Sequence, residues 1–489
     1  NWTVPCASSV LAGAIDVFGA QGKMTKTVIL GAGISGLYTG FRLAEKGKQD
    51  VTIIEKSSTG GGMSKSFTHK GFILDFGPHK IYSVLPGIMD EYQRFMDNKL
   101  LSVTKYNSIF LQGKRITFPL NPLKLPFQIN WFTVANCGVG FAAAKLNQLV
   151  RNKPVMTYED YFLAGFGKPA YNLLFRDLAS KVWGEPTQLT EELSRKRVPV
   201  PDIFGLLSSM VKKKSTVSAK EFLYPKKGFG ELGDTLARKL KQRKGNIQLN
   251  SEPTRIDVKN KKVSSITYKT PRGVKTFKQP DFVVSTIHIL DLLNLLRPAA
   301  PKQVVSAANR LKFRGLALVF VFVDKEHVLP ENWTFYPEKK YIFNRVSEPK
   351  WSSAAVCPPG KTYIIAEVTL DPSDPLFSNE DELLKSVLGD LEKAKVIKQS
   401  DIQETLLRKA RRIYPVYDLQ YRANLVTVLK WLDTIENLFT IGRPGLFNYN
   451  NTDHCIDTGI KLADIIIKGG STAEWIEARK TFNKYSIID

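Results

Sequence analysis

Residues 26–55 read KTVILGAGISGLYTGFRLAEKGKQDVTIIE, and no other stretch constrains the fold as strongly. The apolar run Val28 to Leu30 predicts a buried parallel strand. Leu37, Phe41 and Ala44 recur at helical spacing until Gly47 ends the helix, and VTIIE predicts a second strand. Gly31, Gly33 and Gly36 thus fall where a strand turns tightly into a helix. Backbone there can approach a dinucleotide pyrophosphate, which rests on the helix N-terminus with Ile34 and Ser35 in its first turn. Glu55 closes the second strand, placed to accept hydrogen bonds from both hydroxyls of an adenosine ribose, and its charge opposes the 2′-phosphate of NADP. A lone GxGxxG can serve a turn alone; strand, glycines, helix, strand and acid in register specify an α/β, Rossmann-like nucleotide fold.

A chain of 489 residues calls for two or three domains. Its net charge of +24 draws anions, but the clusters at 195–197, 212–214 and 241–244 lie in separate polar stretches without interleaved aromatics. They read as solvated loops, and no nucleic-acid partner is expected. Cys6, Cys137, Cys357 and Cys455 are scattered and form no CxxC pair, which fits a reducing, cytoplasmic setting without a disulfide framework. No apolar run is long enough for a membrane span. The nearest, INWFTVANCGVGFAAA at 129–144, predicts a buried helix, with shallow peripheral contact with a membrane as the alternative. Residues 1–23 fit nothing that follows and read as an extension preceding Met24.

After Glu55 and Lys56, a second glycine cluster appears in SSTGGGMSKSF at 57–67, followed by GFILDFGPHKIYS at 71–83. This arrangement resembles the flavoprotein superfamily of amine oxidases, protoporphyrinogen oxidases, phytoene desaturases and UDP-galactopyranose mutases. The resemblance implies FAD, with Gly60, Gly61, Gly62 and Met63 along the pyrophosphate and flavin. It also implies a Rossmann-like FAD-binding domain of the three-layer ββα type, built from 24–105, 220–296 and 430–470. An interleaved α+β substrate domain would come from 106–219 and 297–429, with a C-terminal tail at 471–489. Within the superfamily, collinear echoes are similar to UDP-galactopyranose mutases: GPHKIYS at 77–83, FLQGKRITFPLNPLKL at 110–125, KVWGEPTQLTEELSRKRVPV at 181–200, FNRVSEPK at 343–350, RIYPVYD at 412–418 and GRPGLFNYNNTDH at 442–454.

That resemblance implies reduced flavin N5 acting on the anomeric carbon of a UDP-sugar while UDP leaves. Guanidinium groups would neutralise the departing pyrophosphate. Arg345 matches the pyrophosphate arginine, Tyr414 a phosphate-binding tyrosine, and Trp183 and Tyr417 the nucleotide region. His79 and Gly77 match the segment beside the flavin, and Tyr449 would face substrate. On spacing alone Arg345 reads as an exposed strand residue, and Trp183 and Tyr414 as core aromatics. One position departs from the pattern: Pro201 stands where bacterial mutases carry a second arginine, so that charge is either missing or supplied from elsewhere, such as Arg195, Arg197 or Arg408. The alternative is an oxidase or dehydrogenase passing hydride from an amine, porphyrinogen or polyene to flavin. The sequence fixes no oligomeric state.

The stretch GRPGLFNYNNTDHCIDTG at 442–459 offers carboxylate, imidazole and thiol groups. Asp453, His454, Cys455 and Asp457 enter a helix within five residues, though, and cannot close around one metal. No metal is expected. A helix starting near Thr452 or Asp453 instead aims its N–H groups at the flavin N1/O2 edge, with Gly442, Arg443, Asn451, Asp453 and His454 against the cofactor.

Overall fold

The computed structural model describes residues 24–47, 49–121, 124–150, 154–197 and 220–487. The expected extension at 1–23, the Pro201 position and the 212–214 cluster lie outside the described residues.

The fingerprint strand forms as Thr25–Leu30 and sits in the middle of a five-stranded parallel sheet. The order is Leu438–Thr440, Phe282–Ser285, Thr25–Leu30, Gln49–Ile54, Asn246–Gln248. Its strands come from three distant parts of the chain because parallel neighbours need long crossovers. Both faces are covered, so Val28, Ile29, Leu30, Ile53, Val283 and Val284 are buried almost completely. Helix Ile34–Lys46 packs back on this sheet and against helix Thr452–Ile467, where Gly459 meets Tyr38 and Thr39. A four-stranded sheet, with Glu252–Lys259, Lys262–Thr270, Gly273–Lys278 and Leu296–Arg297, supplies the other layer of the Rossmann-like ββα arrangement.

A second, seven-stranded sheet runs Ile402–Pro415, Phe313–Val323, Thr362–Leu370, Arg345–Ser347, Trp333–Phe335, Asn107–Leu111, Lys114–Phe118. Its second strand, FRGLALVFVFV, is buried along nearly its whole length because each face has its own partner. Ala317, Val319, Val321 and Val323 pack with Leu383, Val387 and Leu391 of helix Glu380–Lys393. Leu316, Leu318, Phe320 and Phe322 pack with Phe72 and Leu74, which precede the GPHK segment. The two sheets are thereby clamped together around residues 66–83.

The run at 129–144 corrects one expectation. It forms helix Trp131–Val150, but the helix is not buried: Trp131, Phe132, Val139 and Leu146 are exposed. Contact is confined to one side, where Val134 joins a small apolar cluster and Gly140 lies against Pro169 and Gly167. A run that is apolar all round carries no periodicity to say which face is covered. No helix among the described residues is long and apolar enough to cross a membrane.

Candidate flavin and substrate site

The fingerprint glycines divide their work by geometry. Gly31 has φ of +98° and abuts Thr286, where a Cβ would lie 2.4 Å from the hydroxyl oxygen. A Cβ on Gly36 would fall 2.1 Å from the Gly31 carbonyl oxygen, so only glycine lets the helix sit this close to the turn. Gly33 is different: a Cβ there would meet no protein atom within 4 Å. Gly33 bridges Gly61 of the second cluster, whose N–H donates to the Ala32 carbonyl (2.7 Å). Gly62 packs edgewise on Gly33, and Met63 follows in the short turn Gly62–Ser64. Two bare backbone segments thus lie side by side at the helix N-terminus, with Ile34 and Ser35 buried in its first turn. The Glu55 carboxylate accepts hydrogen bonds from the Ala32 N–H (2.7 Å) and the Ser57 N–H (2.8 Å), which fixes it beside the turn. Lys56 is exposed and lines a surface groove with Asn250 and Glu252.

The C-terminal stretch returns to the same place. Gly442, at φ +78°, faces the Ser35 hydroxyl and Thr286. Arg443 donates through Nε to the Asn450 carbonyl (2.9 Å), and its guanidinium lies over the rings of Tyr449 (5.3 Å) and Tyr414 (5.8 Å). Those rings stack in parallel, 5.5 Å apart and 6° from coplanar. Trp183 donates its indole N–H to the Tyr449 hydroxyl (3.3 Å), and Arg197 lies over both rings, 4.6 Å from Tyr449 and 5.2 Å from Trp183. The Tyr417 hydroxyl accepts from the Tyr449 N–H and donates to the Asn448 side-chain carbonyl, both at 2.9 Å. Asn448 also accepts from buried Lys196 (3.2 Å). The 195–197 cluster is therefore not a solvated loop. It ends helix Glu191–Arg197, with Arg195 exposed on Glu191 while Lys196 and Arg197 turn inward. Arg408, by contrast, covers Phe67.

Arg345 opens the middle strand of the seven-stranded sheet, with its guanidinium paired two-to-two with the Glu367 carboxylate of the neighbouring strand at 2.5 and 2.9 Å. Gly77, at φ +102°, approaches the same carboxylate. His79 stacks on Phe229 (4.5 Å, 13°), and its enclosed Nδ1 finds no hydrogen-bond partner among the described residues. Loss of hydration, then the charges of Arg345 and Arg443, lower its pKa to about 3, so the imidazole is neutral near pH 7. Phe229 is itself held by Asp75, whose carboxylate accepts the Phe229 N–H (3.0 Å), the Ser66 hydroxyl (2.5 Å) and the Tyr224 hydroxyl. Burial pushes Asp75 up to about 6.

Helix Thr452–Ile467 starts as expected, but its ligand-like side chains serve the helix. His454 accepts the Asn451 N–H at Nδ1 (3.1 Å) and stacks on Tyr485 (4.4 Å). Asp453 accepts the Ser83 hydroxyl (2.8 Å), and Asp457 binds Lys461 and the Tyr485 hydroxyl. Asn450, not singled out in the sequence, is the unusual member. It is buried, yet neither atom of its carboxamide has a partner among the described residues. Unpaired buried polar groups are costly, so this carboxamide and His79 Nδ1 are suited to a polar ligand edge. Both glycine clusters, these unpaired groups and the helix N-terminus fit a dinucleotide with a flat polar ring.

The profile of the flavin-containing amine oxidoreductases matches residues 34–407, most of the chain. The chain belongs to that family. It is an FAD-dependent enzyme of the amine oxidase superfamily. A crystal structure of a reduced UDP-galactopyranose mutase superposes with a TM-score of 0.80 at 19% identity, covering 92% of this chain and 95% of that one. A protein from Exiguobacterium sp. 255-15 assigned as a protoporphyrinogen oxidase gives a TM-score of 0.69 at 17% identity, over 91% of this chain and 100% of that one. The phytoene desaturase of Phycomyces blakesleeanus is 37% identical over 73 residues, 15% of this chain. The chain spans only 12% of that relative's length. At these identities the superpositions establish the fold.

Proposed function

We propose that this flavoenzyme is mutase-like and acts on a nucleotide sugar beside the Tyr414–Tyr449 pair. Gly31, Gly33, Ile34, Ser35, Gly36, Gly61, Gly62 and Met63 hold the FAD pyrophosphate, with Glu55 on the ribose. Gly77, His79, Gly442, Arg443, Asn450 and the Thr452 helix N-terminus line the flavin. Lys56, Asn451, Asp453 and His454, read from the sequence as direct contacts, act at most through the backbone they support. When bound, FAD supplies either a nucleophilic N5 in its reduced state or a hydride acceptor in its oxidised state. Neutral His79 offers one hydrogen bond to the ring edge and no charge.

The observation that carries the mutase reading is that Arg197 and Arg443 lie over one aromatic cluster of Trp183, Tyr414 and Tyr449, with the charge of Arg345 felt by Tyr414. Three permanent cations in one neighbourhood suit a diphosphate, and the flat rings suit a uracil face. Arg197 stands in for the charge that Pro201 cannot provide. The test is anaerobic: dithionite-reduced protein is mixed with UDP-sugars, products are separated by chromatography, and the flavin spectrum is followed during UDP titration. Sugar isomerisation and a UDP-dependent spectral change support the reading. An unchanged spectrum with millimolar UDP, together with bleaching of oxidised flavin by an amine or tetrapyrrole, would refute it.

One observation favours the second reading, hydride transfer from an apolar substrate. Glu367 already compensates Arg345, which leaves an aromatic wall with less net charge than three arginines suggest. Bleaching of oxidised flavin by such a substrate would distinguish the two.

A further inference from the structure

Helix Trp131–Val150 is built inside out for a protein surface. Its solvent side carries an apolar stripe of Trp131, Ala135, Gly138, Val139, Ala142 and Leu146, all exposed, bordered by the exposed amides Asn136, Asn147 and Gln148. Trp131, Val139 and Leu146 each keep 65–69% of their surface open, and Phe127, just ahead of the helix, keeps 89%. An outer helix face in water ordinarily carries charge, and a contiguous apolar face of this kind marks a surface with a partner. The opposite face is locked in place: Gly140 sits against Gly167 and Pro169 of helix Tyr158–Ala170, so the exposed face cannot rotate inward.

Charge identifies the partner. Residues 98–158 contain no Asp or Glu and eight Lys or Arg. Exposed Lys124 precedes the helix. Exposed Lys114 follows a hairpin turn whose Gln112 donates to the Thr133 hydroxyl (3.2 Å), so this lysine flanks the helix start. A second copy of the same face would bring like charges together. Aromatic residues at a helix start beside lysines match the boundary between headgroups and acyl chains. The helix is also not apolar enough over its length to cross a membrane.

We propose that the exposed face of Trp131–Val150, with Phe127, is a docking surface for an anionic lipid bilayer, in which the helix lies parallel to the membrane plane. Lys114 and Lys124 meet lipid phosphates while Phe127, Trp131 and Phe132 enter the acyl boundary. This is independent of which substrate meets the flavin.

The test is sedimentation of the flavin-loaded full chain with vesicles of phosphatidylcholine alone or mixed with phosphatidylglycerol. Binding to the anionic vesicles should exceed binding to the neutral ones by about tenfold and weaken with salt. The variant F127S/W131S/F132S should lose about tenfold in partitioning, with flavin content and melting temperature unchanged. Val139→Lys provides a second, single-site version with the same expected loss, and K114E/K124E should abolish only the preference for anionic lipid. Equal sedimentation of F127S/W131S/F132S and the parent, or no sedimentation with either vesicle, would overturn the proposal. So would a dimer at assay concentration that V139K dissociates, because a second copy would then occupy the face.

Discussion

The two glycines Gly33 and Gly36 lie three residues apart in one motif, and the structure assigns them opposite failures. Gly36→Ala places a methyl group 2.1 Å from the Gly31 carbonyl oxygen, where real Cβ atoms keep at least 3.0 Å. The helix must shift off the sheet, a cost of about 1–3 kcal/mol that falls on the protein with or without cofactor. Gly33→Ala meets no protein atom within 4 Å, and its backbone at φ −71°, ψ 174° is ordinary for alanine. The flavin-free fold should therefore change by less than about 0.5 kcal/mol. The added methyl enters the space facing the pyrophosphate, displacing phosphate from backbone N–H groups. Losing one charge-assisted hydrogen bond costs about 1.5–3 kcal/mol, roughly 10- to 100-fold in FAD affinity. Flavin-free protein of each variant would be melted by circular dichroism and then titrated with FAD by calorimetry. Gly36→Ala should melt lower than the parent, and Gly33→Ala should melt with it but bind FAD weakly. If Gly33→Ala binds FAD as the parent does, the pyrophosphate does not lie on Gly33 and the cofactor placement is wrong.

Arg345→Ala should weaken the UDP-induced flavin change by about 2–5 kcal/mol, read from the shifted titration midpoint. It should also lower stability by about 3–5 kcal/mol, because Glu367 is left buried without its partner; E367Q in the same background should restore part of that loss, read by urea unfolding. His79, lowered in the fold from 6.5 to about 3, binds its proton more weakly there than in the unfolded chain. Its contribution to stability is therefore lost as pH falls from 6.5 toward 3, and H79Q should flatten that slope in melting curves across the same range. Asp75 runs the other way. Raised from 3.8 to about 6, it favours the fold when protonated, so its contribution is lost as pH rises through about 6, and D75N should remove that loss. Flavin emission in D75N should also change, since Asp75 holds the Phe229 that His79 stacks upon.

The nucleotide half of the fold was legible because local rules and tertiary structure agree there. Strand, glycines, helix and acid occupy one continuous stretch, and each predicted element formed within three residues of its expected bounds. The start of the Thr452 helix was legible for the same reason. Other features were hidden by distance along the chain. Arg345 needed Glu367 from the next strand, Phe229 needed Asp75 from 154 residues away, and Arg197 became part of the site only when its helix met Tyr449. A charge cluster looks solvated in sequence because no local pattern records which cation turns inward.

The sequence by itself determined that backbone at residues 31–36 and 60–62 must be bare, since steric exclusion acts between near neighbours. It also set which residue types could meet an anionic, flat cofactor. Only the tertiary structure decided that Asn450 rather than Asn451 offers an unpaired carboxamide, that Glu367 compensates Arg345, and that the 131–150 helix shows its apolar face to solvent. Burial, charge compensation and hydrogen-bond satisfaction are sums over neighbours in space. In this chain those neighbours come from segments that lie far apart in the sequence.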